Sequence, residues 1–249
     1  MSLEGKVAIV TGAGGGFGEG MARRFVAEGA RVAAVDLLGD QAERVARDLG
    51  PAAIAIQADV GDAADVRRAV AETVARLGPP GILVNNAGVV HRNMPLLEVE
   101  EDEFDRVFRV NVKSVFLFVR EVAPLMRDAG GGVVLNIGST AGLRPRPGLT
   151  WYNASKGAVS LASKSLAVEL APWKIRVNCI APVMGETGML QTAMGGVDTP
   201  ENRARFLSSI PLGRFSLPAD IANAAAFLVS DEAAFITGAE LPVDGGRTV

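Results

Sequence analysis

Short apolar runs alternate with longer mixed stretches along the whole chain. Residues 6–11 (Lys-Val-Ala-Ile-Val-Thr) are apolar and β-branched and end in glycines, which predicts a strand covered on both faces. Residues 19–28 predict a helix, stopped by Gly29. The pattern then repeats. Residues 31–36 and 53–57 predict a second and third strand, each followed by a helix, over 40–49 and 62–77. Gly50-Pro51 closes the first of these helices; Asp62 caps the second and Gly78-Pro79-Pro80 stops it. Residues 81–85 predict a fourth strand. Residues 101–127 predict a long helix, kinked at Pro124. Its run Val115 to Val119 is apolar on all sides, so the helix is expected to be buried on more than one face. Residues 133–137, 175–180 and 238–244 predict the last three strands, and 152–170 and 218–228 two further helices. Strands and helices alternating at this spacing predict a parallel sheet with helices on both faces, in one α/β domain spanning 1–249. There is no internal repeat and no linker.

One stretch breaks the alternation. Residues 183–210 hold Gly185, Gly188, Gly195 and Gly196 with Met184, Met189 and Met194. Glycine permits motion and methionine adapts its shape, so this segment is expected to form a lid over a site.

Composition narrows the function. Of 249 residues, 49% are hydrophobic, enough for a large core, and the net charge of −3 gives no basic footprint for nucleic acid. One cysteine, Cys179, rules out an internal disulfide and suits a reducing compartment. One cysteine and one histidine make a metal site improbable. No apolar run approaches a membrane span, and the N-terminus has no signal-peptide pattern. The expectation is a soluble cytoplasmic protein.

Tyr152 and Lys156 stand four residues apart and so share one helix face. A nearby ammonium favours a phenolate, which makes the pair a general acid/base unit. Tyr152 is the only tyrosine, against ten phenylalanines. Ser139 ends the fifth strand, where ligands bind in open α/β sheets. Asn111 is a polar side chain within an apolar helix and needs hydrogen-bond partners. Near the N-terminus, Thr11-Gly12-Ala13-Gly14-Gly15-Gly16-Phe17-Gly18 lies between a strand and a helix, the setting in which backbone N–H groups meet a pyrophosphate. The common G-x-G-x-x-G spacing does not fit, because Phe17 takes the third glycine position. T-G-x-x-x-G-x-G fits through Gly12, Gly16 and Gly18, and T-G-x-x-G-x-x-G fits through Gly12, Gly15 and Gly18. Asp36, followed by Leu37, ends the second strand, where a carboxylate accepts from ribose hydroxyls and repels a 2′-phosphate. His91, after the fourth strand, is expected to face solvent or a pocket edge. It precedes Ser139, and Gly138-Ser139-Thr140 lacks the G-x-S-x-G elbow, so a serine hydrolase is excluded.

Taken in order, the glycine loop, Asp59-Val60, Asn85-Asn86-Ala87-Gly88, Asn111, Ser139, Tyr152-x-x-x-Lys156 and Asn178 to Pro182 resemble the short-chain dehydrogenase/reductase family, over essentially the whole chain. The resemblance implies a Rossmann-like, doubly wound, seven-stranded parallel sheet. It implies that Tyr152 exchanges a proton with the substrate oxygen, Lys156 lowers the Tyr152 pKa and binds the nicotinamide ribose, Ser139 orients the carbonyl or alcohol, and Asn111 holds a water. It further implies that Gly12, Gly15, Gly16, Phe17 and Gly18 surround the pyrophosphate, that Asp59 and Val60 meet the adenine, and that Asn86, Ala87 and Gly88 lie beside the adenosine. Pro182, Val183 and Thr187 would adjoin the nicotinamide; Val183 and Gly185 depart from the family pattern. The reading is an NAD-dependent alcohol dehydrogenase/ketone reductase. The alternatives are a 3-oxoacyl-thioester reductase, against which Asp36 counts because such enzymes usually use NADPH, and an NAD-sensing protein without turnover. Leu149, Trp151, Met184 and Met189 suggest an apolar substrate pocket. Surplus apolar surface on the 101–127 and 152–170 helices suggests a second subunit, and the resemblance a homotetramer.

Overall fold

The structure, a computed structural model, describes residues 2–188, 190–194 and 199–249; Met189, Gly195 and Gly196, expected in the lid, lie outside the described residues. Seven strands form one sheet: β1 (Val7–Thr11), β2 (Arg31–Asp36), β3 (Ala53–Gln57), β4 (Ile82–Asn85), β5 (Gly132–Ile137), β6 (Ile175–Pro182) and β7 (Glu240–Val243). Their order is β3-β2-β1-β4-β5-β6-β7, and every pairing is parallel. After β3 the chain crosses back to the far side of β1 to enter β4. The loops leaving β1 and β4 therefore part, opening a crevice at the carboxyl ends of the strands.

Successive side chains on a strand face opposite sides, so a strand covered by helices on both sides must be apolar at every position. Val7, Ile9, Leu83 and Val134 enter one core with α3 (Ala63–Leu77), α5 (Ser114–Asp128) and α7 (Thr150–Leu170). Ala8, Val10, Ile82, Val84 and Leu135 enter the other with α1 (Gly16–Ala27), α2 (Gly39–Leu49) and α10 (Pro218–Val229). Asp62 caps α3 as expected, its side chain accepting from the N–H groups of Ala64 and Asp65.

Three expectations need correction. First, α1 starts at Gly16, inside the glycine run, rather than at Glu19. The glycines serve as helix residues as well as turn residues, because the N-terminal half of the helix packs closely against its neighbours. A Cβ on Gly18 would stand 2.0 Å from the Gly12 carbonyl oxygen, and one on Gly20 would stand 2.8 Å from Pro218 Cβ. Second, the long helix is not one continuous α-helix, and Pro124 lies within its second part, α5. A π-turn at Arg109–Lys113 separates α4 (Glu101–Phe108) from α5. The extra residue of such a turn redirects one side chain, here Asn111. Third, His91 is fully buried instead of facing solvent or a pocket edge. Its Nδ1 lies 2.8 Å from the Arg92 carbonyl, and its Nε2 has no hydrogen-bond partner among the described residues.

Between β6 and α10 run α8 (Leu190–Ala193) and α9 (Pro200–Leu207). Val183, Leu190, Met194, Ile210 and Phe215 form a small core of their own here, separate from the two main ones.

Candidate active site

The ends of β5 and α7 bring the central groups together. Ser139 follows β5 and caps α6 (Thr140–Leu143); its Oγ accepts from the Ala141 N–H at 3.1 Å. Tyr152 and Lys156 lie in the first two turns of α7, one turn apart. Lys156 is buried, and its Nζ donates to the Ile137 carbonyl at 2.9 Å. That nitrogen lies 6.0 Å from the centre of the Tyr152 ring. Asn111 is fixed from three sides: Oδ1 accepts from Val89 N–H at 2.8 Å, and Nδ2 donates to Val89 O at 2.9 Å and Ser155 Oγ at 3.0 Å. Gly88 joins these groups. A Cβ there would stand 3.3 Å from both Asn111 Oδ1 and Lys156 Nζ, so the absence of a side chain lets the two approach one space.

Electrostatics at the site are set mainly by burial. Burial is the largest influence on the Tyr152 phenol and pushes its pKa above the ordinary value; a hydrogen bond with Ser139 and the charge of Arg146 pull it back only in part. Arg146 is thus a cation that favours the phenolate. Burial also pushes the Lys156 ammonium down, to about 8. The site is low in dielectric, and each group's charged form is disfavoured there.

Two cavities meet at this point. A small one of about 90 Å³ is lined by Ser139, Tyr152, Lys156, Leu149 and Met184, and also by Pro182, Val183 and Thr187. Trp151 is not among its lining residues; its ring packs edge-on against Phe104, with centroids 5.1 Å apart. A second cavity of about 450 Å³ runs over the crevice between β1 and β4. Gly12, Gly15, Gly16, Phe17, Asp36, Leu37, Asp59, Val60, Asn86, Ala87 and Gly88 all line it. Gly18 does not; it packs beneath the loop against Gly12.

The second cavity has the parts a dinucleotide needs. Gly12 and Gly16 take positive φ angles of 63° and 54° to turn the chain, and a Cβ on Gly15 would stand in open space. The first-turn N–H groups of α1 lack intrahelical acceptors and suit phosphate oxygens. Asp36 closes the far end: its carboxylate accepts from Gly14 N–H at 2.8 Å and Leu38 N–H at 3.0 Å. Asn86 holds the walls in register, donating to Thr11 O at 2.8 Å, while Thr11 Oγ1 accepts from the N–H groups of Asn86 and Ala87. Burial works to raise the Asp59 carboxyl, but hydrogen bonds from Arg109 and the Gly61 N–H hold it below its usual range. These residues fit NAD.

Several lining residues carried no signal in the sequence. Arg109 and Val110 reach the adenosine side from the π-turn, and Arg146 reaches the small cavity from the loop before α7. A lone arginine in a loop looks the same whether it faces water or a pocket. Gly185, which departs from the family pattern, makes room for Phe17: a Cβ there would stand 2.3 Å from the ring, and the backbone forms a bridge with Ser216.

Residues 12–248 match the family described as enoyl-(acyl carrier protein) reductase. The chain is 50% identical to 4-formylbenzenesulfonate dehydrogenase of Comamonas testosteroni, over 100% of both chains. It is 41% identical to 2-(R)-hydroxypropyl-CoM dehydrogenase of Xanthobacter autotrophicus, over 98% of each. Among solved structures it resembles a 3-ketoacyl-(acyl-carrier-protein) reductase of Brucella melitensis complexed with NADH, with a TM-score of 0.95, 50% identity and complete coverage of both chains. With the sheet order, the glycine loop and the Ser139-Tyr152-Lys156 cluster, these likenesses establish that the chain belongs to the short-chain dehydrogenase/reductase family and is an NAD(H)-dependent oxidoreductase of secondary alcohols and ketones.

Proposed function

We propose that Tyr152 is the proton-transfer group of this oxidoreductase, with Ser139, Lys156 and Asn111 in supporting roles. The observation that carries the reading is the convergence of Ser139, Tyr152 and Lys156 on one small cavity beside the dinucleotide crevice. NAD, when bound, supplies the hydride acceptor. In oxidation the substrate hydroxyl donates its proton to the Tyr152 oxygen, and in reduction the same phenol returns it. Ser139 donates to the substrate oxygen and holds it against Tyr152. Lys156, anchored on Ile137 O, presents its remaining N–H groups to the nicotinamide ribose. Asn111 holds a water at the inner end of the site, next to Lys156, through which protons reach solvent. Asp36 takes the adenosine ribose hydroxyls, and its charge disfavours a 2′-phosphate.

Residues 183–210 act as the lid. Their separate small core supports movement as a unit. We read the working protein as a cytoplasmic homotetramer: Phe116, Leu161 and Val168 are apolar side chains left 58%, 67% and 78% exposed on α5 and α7. The lone thiol, Cys179, supports a reducing compartment. Among the described residues no helix is long and apolar enough to cross a membrane.

The test is a spectrophotometric screen with NAD against secondary alcohols, joined by an aryl aldehyde because one relative is named for one. Formation of NADH with at least one substrate is the expected result. A protein that binds NAD but turns over nothing in either direction is a sensor, and the proposal fails. A second reading, 3-oxoacyl-thioester reduction, is favoured by the name of the Brucella melitensis protein. Preferential reduction of a 3-oxoacyl thioester with NADH would select it.

A further inference from the structure

Three arginines from distant parts of the chain meet at the outer edge of the small cavity. Arg146 comes from the loop before α7, Arg205 from α9, and Arg247 from the turn after β7. All three line one cavity of about 550 Å³, and no Asp or Glu is among its described lining residues. That cavity shares Thr140, Arg146, Val183 and Met184 with the small cavity that holds Ser139 and Tyr152. Between the arginines the wall is apolar, with Met194, Phe206 and Ile210.

The charges are close enough to act on each other. Burial is the largest influence against the charges on Arg146 and Arg247; Arg205 and Arg247 add to it at Arg146, where Tyr152 acts the other way, and Arg144 adds to it at Arg247. Asp244 opposes this at Arg247, but its carboxylate is already occupied by the Gly246 N–H and by the N–H and hydroxyl of Thr248. The Arg146 guanidinium lies over the Phe206 ring, 4.8 Å from its centre, which fixes its plane. Neither Arg205 nor Arg247 has a side-chain hydrogen bond or ion pair among the described residues. A protein of net charge −3 has thus gathered cations in a concave, partly apolar place. Such a cluster is repulsive alone and is relieved by an anion, which guanidinium forks bind with two hydrogen bonds at once.

We propose that Arg146, Arg205 and Arg247 form an anion subsite, and that the substrate is an apolar body with a carboxylate or sulfonate at the end remote from its reacting carbon. The carbonyl or carbinol lies at Ser139 and Tyr152, and the anionic group lies against the arginines. This deepens, and rests on, the reading of Tyr152 as the reacting end.

The test compares reduction of 4-acetylbenzoate with that of acetophenone, which shares its ring and carbonyl but has no charge. The expected result is a kcat/KM at least about tenfold higher for the anion. That ratio falls at least about tenfold in the double variant Arg205→Gln/Arg247→Gln, and Arg205→Lys/Arg247→Lys restores most of it. Equal kcat/KM values, or a ratio unmoved in the glutamine variant, overturn the subsite and leave the dehydrogenase reading standing. If neither ketone is reduced, calorimetry with NADH-loaded protein decides. Binding of 4-acetylbenzoate that is lost in the glutamine variant upholds the subsite while the Tyr152 reading fails; no binding to the unmodified protein overturns the subsite.

Discussion

At the scale of single residues, the site is built from groups whose charged forms the surroundings disfavour. Tyr152 is the only tyrosine, so every phenolate signal from the folded protein is its own. Without NAD it should titrate above its ordinary value of 10.0, because burial outweighs Ser139 and Arg146. Bound NAD adds the positive nicotinamide ring and should lower that value, and alcohol oxidation should rise with pH through the lowered one. A tyrosine whose titration NAD leaves unmoved would remove Tyr152 as the base. Tyr152→Phe should bind NAD normally and lose about 10²–10⁴ in kcat. Lys156 gives a prediction about stability. Its folded pKa, about 8, lies below its ordinary 10.5, so the native state releases this proton before the unfolded chain does. The unfolded state then binds more protons, and stability rises with pH between those two values. Below about pH 8 the buried ammonium is a standing cost, on the order of 3 kcal/mol. Lys156→Met removes that cost but also the hydrogen bond to Ile137, worth about 1 kcal/mol. The variant should therefore melt higher than the unmodified protein at pH 7 while losing activity, and the gap should close toward pH 10. A lower melting temperature at pH 7 would show that Lys156 is held at no such cost.

At the scale of elements, the glycine loop separates two uses of glycine that look alike in a sequence. A Cβ on Gly18 would stand 2.0 Å from a backbone oxygen, whereas one on Gly15, which lines the cofactor cavity, would meet nothing within 4 Å. Gly18→Ala should then lower stability by about 1–3 kcal/mol, the range for overpacking, and shift the loop. Gly15→Ala should keep the melting temperature and raise the KM for NAD. Similar melting temperatures for the two variants would show that the loop adapts to Gly18→Ala without strain. The same contrast shows what was legible in advance. Strands β2 and β3 fall where their apolar runs predict, because burial on both faces leaves a run with sharp ends. The π-turn at Arg109–Lys113 was not legible: one extra residue in a helix changes no composition, yet it turns Asn111 toward Val89 and Ser155. Nor was the burial of His91, since a loop polar residue gives no periodicity to read.

At the scale of the whole molecule, strand–helix alternation announces a parallel sheet but not its order, since any crossover returns the chain parallel. The order is visible only in the folded chain, and the crossing from β3 to β4 is what sets the crevice beside Asp36 and Gly88. Arg205 and Arg247 were illegible for a related reason: only the folded chain brings α9 and the C-terminal turn to the loop before α7. Assembly is the remaining property of this scale. Val112, Phe116, Val119, Leu161 and Leu166 line an apolar groove between α5 and α7. Arg120 lies 6.0 Å from the Phe116 ring centre, and Arg127 lies 5.1 Å from the Trp173 ring centre. An apolar stripe flanked by arginines has the make-up of an interface rather than of a solvated face. Two copies related by a twofold axis would bury the stripe against itself, each large apolar side chain contributing about 1.5–3 kcal/mol. A tetramer of two such pairs needs a second patch, and the β7 edge offers one, with Leu241 partly exposed and Phe235, in the turn before β7, fully so. Light scattering at micromolar concentration should give four chains. Phe116→Lys with Leu161→Lys changes two exposed positions, so the chain should still fold while the helix-mediated pairing is lost, leaving two chains joined through β7. A single chain in the unmodified protein would reject the assembly, and four chains in the double variant would move the interface away from α5 and α7.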